Sequence, residues 1–160
     1  MQTAGGESAI WTAVQVMRGA IVREAMKSDV RLFASRLTAS CAPADVACRA
    51  SRIYAYVKAH MRFVPDPRQV EALGLPSYHL QLIAERNETY GDCDDGAMLI
   101  ATLATAVGVT SRLAVASFRP DRILHHVWAG LLVPRGWFEA DPFRSERFNR
   151  QPTRVLYLSV

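Results

Sequence analysis

The chain reads as an α+β domain, with a helical N-terminal half, then a small antiparallel sheet, and a cysteine at the N-terminus of a central helix packed on that sheet. Three observations point there. Up to Val107 the apolar residues recur at helical spacing. After Gly108 the pattern changes to alternating runs joined by hairpin-length links, the order expected of segregated helices and strands. Between the two halves, Tyr90-Gly91-Asp92-Cys93-Asp94-Asp95-Gly96-Ala97 opens a run, Ala97 to Val107, that is apolar on every side. A helix apolar all round has no face to show to water, so it belongs in the core.

Residues 1–7 read as a loose terminus. Ser8 is placed to cap a helix carrying Ile10, Val14, Met17 and Ile21. Val30, Phe33 and Leu37 continue the pattern. Pro43 suits the first turn of a further helix striped by Val46, Ala50, Ile53 and Val57. Val64-Pro65-Asp66-Pro67 stops it, and residues 65–79 read as a long irregular loop before a short helical run, Leu80 to Arg86. Beyond the central helix, strands are expected around Leu113–Ser117, Ile123–Val133, Trp137–Asp141 and Val155–Val160, with a polar loop at 144–153. No internal repeat divides the 160 residues, so one domain, 1–160, is expected.

The formal charge of +4 is carried mostly by arginines late in the chain, including Arg112, Arg119, Arg144, Arg147 and Arg150. That is read as a solvated basic face, and no nucleic-acid motif accompanies it. Neither a secretory signal nor a membrane span is visible, which points to the cytoplasm. On that reading Cys41 and Cys48 are two reduced thiols, although their spacing allows a bridge.

Asp92 is placed as the N-cap of the central helix, with Asp95 bonding back as in a capping box. Cys93 then sits in the first turn, where the positive end of the helix dipole favours a thiolate. His126 and Asp141 follow in strand-like runs. A thiol, an imidazole and a carboxylate are the parts of an acyl-transfer triad. The neighbouring histidine, His125, points to the opposite face of a strand. A two-residue turn at Pro134-Arg135 sets Val133 against Gly136 and puts His126 on the face of Asp141. A three-residue turn with a bulge puts His125 there instead.

Gly91-Asp92-Cys93-Asp94-Asp95, Gly108-Val109-Thr110-Ser111-Arg112, His126-Val127-Trp128 and Trp137-Phe138-Glu139-Ala140-Asp141-Pro142 together resemble the core of the transglutaminase-like superfamily, over roughly residues 45–143. Residues 1–40 are an N-terminal helical segment not covered by it. The resemblance implies a papain-like fold, Cys93 as nucleophile, His126 as general base and acid, and Asp141 as the orienting carboxylate. Two branches look nearest. Phage- and prophage-encoded members are similar around Pro65-Asp66-Pro67 and Arg119-Pro120-Asp121-Arg122. Bacterial transglutaminase-like cysteine proteinases have a similar cysteine motif, and some bind calcium beside the cysteine. By position that implicates Asp92 and Asp94, though Asp94 stands where they carry a longer glutamate. No cofactor is otherwise required.

The expected activity is that of a cysteine hydrolase, a peptidase or amidase working on a protein or peptide through a thioester acyl-enzyme. Oxyanion donors are expected from the Cys93 backbone and from one of Gln81, Asn87 or Tyr90. The alternatives are a protein-glutamine amine transferase and a phage virion or assembly protein that uses the fold structurally, with phage structural proteins as partners.

Overall fold

Helix α5, Cys93–Ala106, is the axis of the molecule, and every residue from Asp95 to Ala104 along it is buried. The computed structural model describes residues 4–65, 73–143 and 151–160, with side chains from Ser8 onward. Around α5 pack α1 (Ala4–Ala25), α2 (Ser28–Leu37), α3 (Val46–His60) and α4 (Pro76–Arg86). Against its remaining side lies a sheet of β3 (Ser111–Ser117), β4 (His126–Val133), β5 (Gly136–Ala140) and β6 (Arg154–Ser159), all antiparallel, in the order β5-β4-β3-β6. The α+β class is what the structure shows. Met98, Leu99, Ile100 and Leu103 meet Ile21, Val57, Leu113 and Leu131 in one continuous core. Truncating Leu99 to alanine there should cost about 2–5 kcal/mol.

The ends of α5 follow from its sequence. Asp92 and Asp95 form the capping box at its start. At its close, Val107 is the C-cap and Gly108 takes φ +73°, a left-handed conformation that glycine adopts without strain.

The sheet has two unlike faces. Leu113, Val115, Val127, Ala129 and Leu131 join the helical core. On the other face, Ala114, Ala116 and Trp128 make a small second cluster with Phe118 and Val155. Farther along that face, Arg112 lies between the rings of Trp137 (4.1 Å) and Tyr157 (3.7 Å) and pairs with Glu139 at 2.6 Å.

Several local expectations are corrected. The first helix begins at Ala4, not after Ser8, so residues 4–7 are helical and the Ser8 carbonyl accepts from Thr12 Oγ1 within the helix. The apolar stripe of α1 docks on α5, and packing of that kind overrides the weak helix propensity of Gly5-Gly6. Pro43 lies before α3 rather than in its first turn. Asp45 is the cap, because its carboxylate can accept from Cys48 N–H (2.9 Å). That cap brings Cys48 back over Cys41, and the two form a disulfide, with 5.7 Å between Cα atoms. The expectation of two reduced thiols is therefore overturned.

Two short strands were not foreseen. β1 (Met61–Phe63) and β2 (Thr89–Gly91) pair in parallel, and three residues are too few to show a period of two. The helical run expected from Leu80 starts earlier, at Pro76, which opens α4 at its first turn. Residues Ile123–His125 precede β4 rather than extending it. Of the segments expected as loops, 65–79 and 144–153, residues 66–72 and 144–150, with Pro67, Arg144 and Arg147, lie outside the described residues.

Candidate active site

The turn that carries Cys93 is assembled by carboxylates. Asp92 Oδ1 accepts from Asp94 N–H (3.0 Å), and Asp95 Oδ2 accepts from Asp92 N–H (3.2 Å). Asp95 faces inward and is 4 % exposed. Two glycines of the motif are spacing requirements. A Cβ on Gly91 would come within 2.5 Å of Asp95 Oδ2, and one on Gly96 within 2.8 Å of Pro142. Gly91 thus lets the Asp95 carboxyl fold back under the turn, and Gly96 lets the segment after Asp141 lie against α5.

The second half of the site comes from the β4–β5 hairpin. The observed register sets Val133 opposite Gly136 and Ala129 opposite Ala140, the two-residue alternative. His126 Nε2 meets Asp141 Oδ2 at 2.6 Å. With the carboxylate as acceptor, Nε2 carries the proton of that bond and Nδ1 is the other ring nitrogen. Asp141 is itself held: its Oδ1 accepts from Phe143 N–H (3.0 Å), and its carbonyl accepts from Tyr54 (3.2 Å). Trp128 lies beside the His126 ring, 5.7 Å between centroids, and donates its indole N–H to Glu139. His125 is exposed and its Nδ1 bonds the Ile123 carbonyl at 2.8 Å.

Cys93 and His126 line one cavity of about 320 Å³. Val127 N–H donates to the Cys93 sulfur, and the thiol in turn donates to Asp94 Oδ1 at 3.5 Å. Burial first, and then the charge of Asp94, push the thiol well above the ordinary range, while the Val127 N–H pulls the other way. Cys93 therefore rests as a neutral thiol near pH 7.

The three side chains expected as oxyanion donors are placed elsewhere. Gln81 is exposed and donates to Glu85 at 2.8 Å. Asn87 is the left-handed C-cap of α4, and its carbonyl bonds His60 Nδ1. Tyr90 is 47 % exposed and donates to Glu88 at 2.5 Å. β2, α4 and its C-cap turn these groups outward, and none of them lines the cavity of Cys93.

The acidic residues were also candidates for calcium. Asp92, Cys93 and Asp94 each offer one atom within 4.8 Å of the others. Two carboxylates and a thiol do not make a calcium cage, which takes six to eight oxygens, and Asp95 is turned away toward Gly74 and His79. The described side chains supply only part of such a set.

Sequence reasoning missed a second histidine. His79 is 3 % exposed; its Nδ1 bonds Thr89 Oγ1 at 2.8 Å and its Nε2 lies 3.5 Å from Asp95 Oδ1. The latter is within ion-pair range but makes no hydrogen bond, and Nε2 is left without one. Asp95 Oδ1 instead accepts from Gly74 N–H at 2.7 Å. These bonds tie α4, β2 and the loop before α4 to the turn carrying Cys93. An isolated histidine in α4 gives no sequence signal of this.

Residues 31–142 match the family model of the transglutaminase-like superfamily, and the chain belongs to that superfamily. The match begins upstream of the residues that carried the resemblance and leaves α1 outside it. The fold is also similar to a candidate protease of Parabacteroides distasonis, with TM-score 0.63 and 13% identity over 81% of this chain and 26% of that one. A candidate cysteine protease of Cytophaga hutchinsonii is similar with TM-score 0.54 and 14% identity, over 89% of this chain and 56% of that one. The chain thus spans about a quarter of the first and a little over half of the second. No curated protein matches the chain in sequence. Among the described residues, no helix is long and apolar enough to cross a membrane.

Proposed function

We propose that this domain is a cysteine hydrolase, a peptidase or amidase in which Cys93 is the nucleophile, His126 the general base and acid, and Asp141 the orienting carboxylate. The observation that carries the reading is the 2.6 Å His126–Asp141 bond beside the cavity that also holds Cys93. Asp141 fixes the tautomer through Nε2, so the proton chemistry falls to Nδ1. Two solved proteins of similar fold are described as candidate proteases, which is the same class of chemistry.

Because the thiol rests neutral, the proton moves as attack begins, rather than from a standing ion pair. His126 Nδ1 takes the Cys93 proton while sulfur bonds the amide carbonyl carbon. The carbonyl oxygen becomes an oxyanion, served by the Cys93 backbone N–H at the positive end of α5. The C–N bond then breaks and the imidazolium gives its proton to the leaving amine. Water, deprotonated by His126, attacks the thioester; the carboxylic acid leaves and the thiol is restored.

The test offers a fluorogenic peptide-amide library together with a fluorescent primary amine, to the native protein and to Cys93→Ala. The expected result is Cys93-dependent cleavage that outruns amine incorporation. Incorporation without cleavage would make the protein an amine transferase. Neither product would leave the fold in a structural role, such as that of a phage virion or assembly protein.

A further inference from the structure

Helix α1 lies outside the family match, yet it forms one side of the cysteine's cavity. Ile10, Ala13, Val14 and Met17 all line it, and their spacing puts them on one face of the helix. Val115, Leu124 and Val127 supply apolar surface from the sheet side. The polar groups come from the turn of Cys93 and from His125 and His126.

We infer that α1 is the specificity wall of this site and that the cavity takes one uncharged aliphatic side chain of the substrate. The inference rests on the hydrolase reading and names its substrate class. The volume, about 320 Å³, is at the small end for ligand pockets and suits one side chain rather than a large ligand. The depth is graded, since Val14 and Met17 are 3 % and 1 % exposed whereas Ala9, which also lines the cavity, is exposed. Ala9 therefore lies at the rim, and Val14 and Met17 form the floor.

The wall is fixed rather than a lid. Val14, Met17 and Ile21 belong to the main core. Arg18 Nε donates to the Ser159 carbonyl at 2.8 Å, tying α1 to β6. Near its end, Glu24 pairs with Lys27 at 2.6 Å and accepts from Ser77 N–H at 2.9 Å.

Charge selects in the same direction as shape. A charged side chain entering between apolar walls loses its hydration without a partner on either wall. An acidic one is also repelled by Asp92 and Asp94 at the mouth. A basic one is drawn to those carboxylates beside Cys93, but the apolar walls from α1 and the sheet offer it no partner. An aliphatic side chain meets none of these costs.

The experiment measures alkylation of Cys93 by acetyl-aminoacyl chloromethyl ketones bearing leucyl, alanyl, aspartyl or arginyl side chains, each normalised to iodoacetamide. The leucyl reagent should lead the aspartyl and arginyl ones by about tenfold or more, the discrimination an apolar pocket provides. Ala13→Phe, which fills the cavity from α1, should lower the leucyl-to-iodoacetamide ratio by about tenfold. Ala9→Glu, at the exposed rim, is the second variant in case the first misfolds, and should lower the same ratio. A flat series, a lead for the arginyl reagent, or an unmoved ratio in a folded variant would overturn the wall while leaving Cys93 as the nucleophile. Failure of iodoacetamide itself to label Cys93 would sink the nucleophile reading and the wall with it.

Discussion

Among the described residues, two histidine–aspartate pairs lie close to the same turn, and they are built differently. His126 and Asp141 meet at 2.6 Å at the end of the sheet, beside the cavity of Cys93. His79 and Asp95 stand 3.5 Å apart behind the turn, with side chains only 3 % and 6 % exposed. In the first pair the histidine reaches the cavity and the carboxylate orients it. In the second the carboxylate is spent on backbone N–H groups of Gly74 and Asp92, and the histidine on Thr89. On the proposed reading, the same two residue types serve proton chemistry in one place and hold a helix terminus in the other. What separates the roles is access to the cavity and where the hydrogen bonds go.

That contrast can be broken by substitution. Asp141→Asn keeps the shape and the acceptor for Phe143 N–H but loses the charge that holds the imidazole tautomer. Turnover should fall by about 10²–10⁴-fold with little change in melting temperature. A fall below tenfold in a steady-state assay would remove Asp141 from the site chemistry. His79→Leu should do the reverse. It strands the Thr89 hydroxyl in the core, while Asp95 keeps its bonds from Gly74 and Asp92 N–H, at a cost of about 1–3 kcal/mol. In a chain of this size that lowers Tm by several degrees, roughly 2–4 °C per kcal/mol. A large loss of turnover with an unmoved Tm would mean that the two pairs are not so distinct.

A smaller effect belongs to Cys93. Its folded-state thiol titrates above the unfolded one, so its neutral form favours folding. That contribution is complete below the ordinary thiol pKa, about 8.5, and is lost as pH rises beyond it. Native protein should therefore lose stability relative to Cys93→Ala between about pH 8.5 and 10, measured by denaturant melts. Parallel curves across that window would count against the burial of the thiol.

Much of this was legible in the sequence for specific physical reasons. The apolar run after Cys93 could only be a buried helix, and Asp92 with Asp95 could only reach one another across its first turn. The strands after Gly108 showed their alternation, and turn chemistry narrowed the hairpin to two registers. Choosing between them took the observed pairing of Val133 with Gly136. Other features leave no local trace. β1 and β2 exist because α3 and α4 deliver two short segments side by side. The Cys41–Cys48 bridge depends on the cap of α3. The tie between His79 and Asp95 and the place of α1 against the cavity are long-range packing, which single-chain periodicity does not encode.

The central claim is that Cys93 attacks with His126, and not His125, as its base. It is tested most directly by trapping the acyl-enzyme with p-nitrophenyl acetate and locating the acyl group by mass spectrometry. Cys93 is the one unbridged cysteine of the chain, so an acetyl thioester has one expected address. The account predicts rapid acetylation of Cys93 in the native protein and in His125→Ala, and a rate about 10²-fold lower or less in His126→Ala. Acetylation that survives in His126→Ala and is lost in His125→Ala, or an acyl group found away from Cys93, would contradict it.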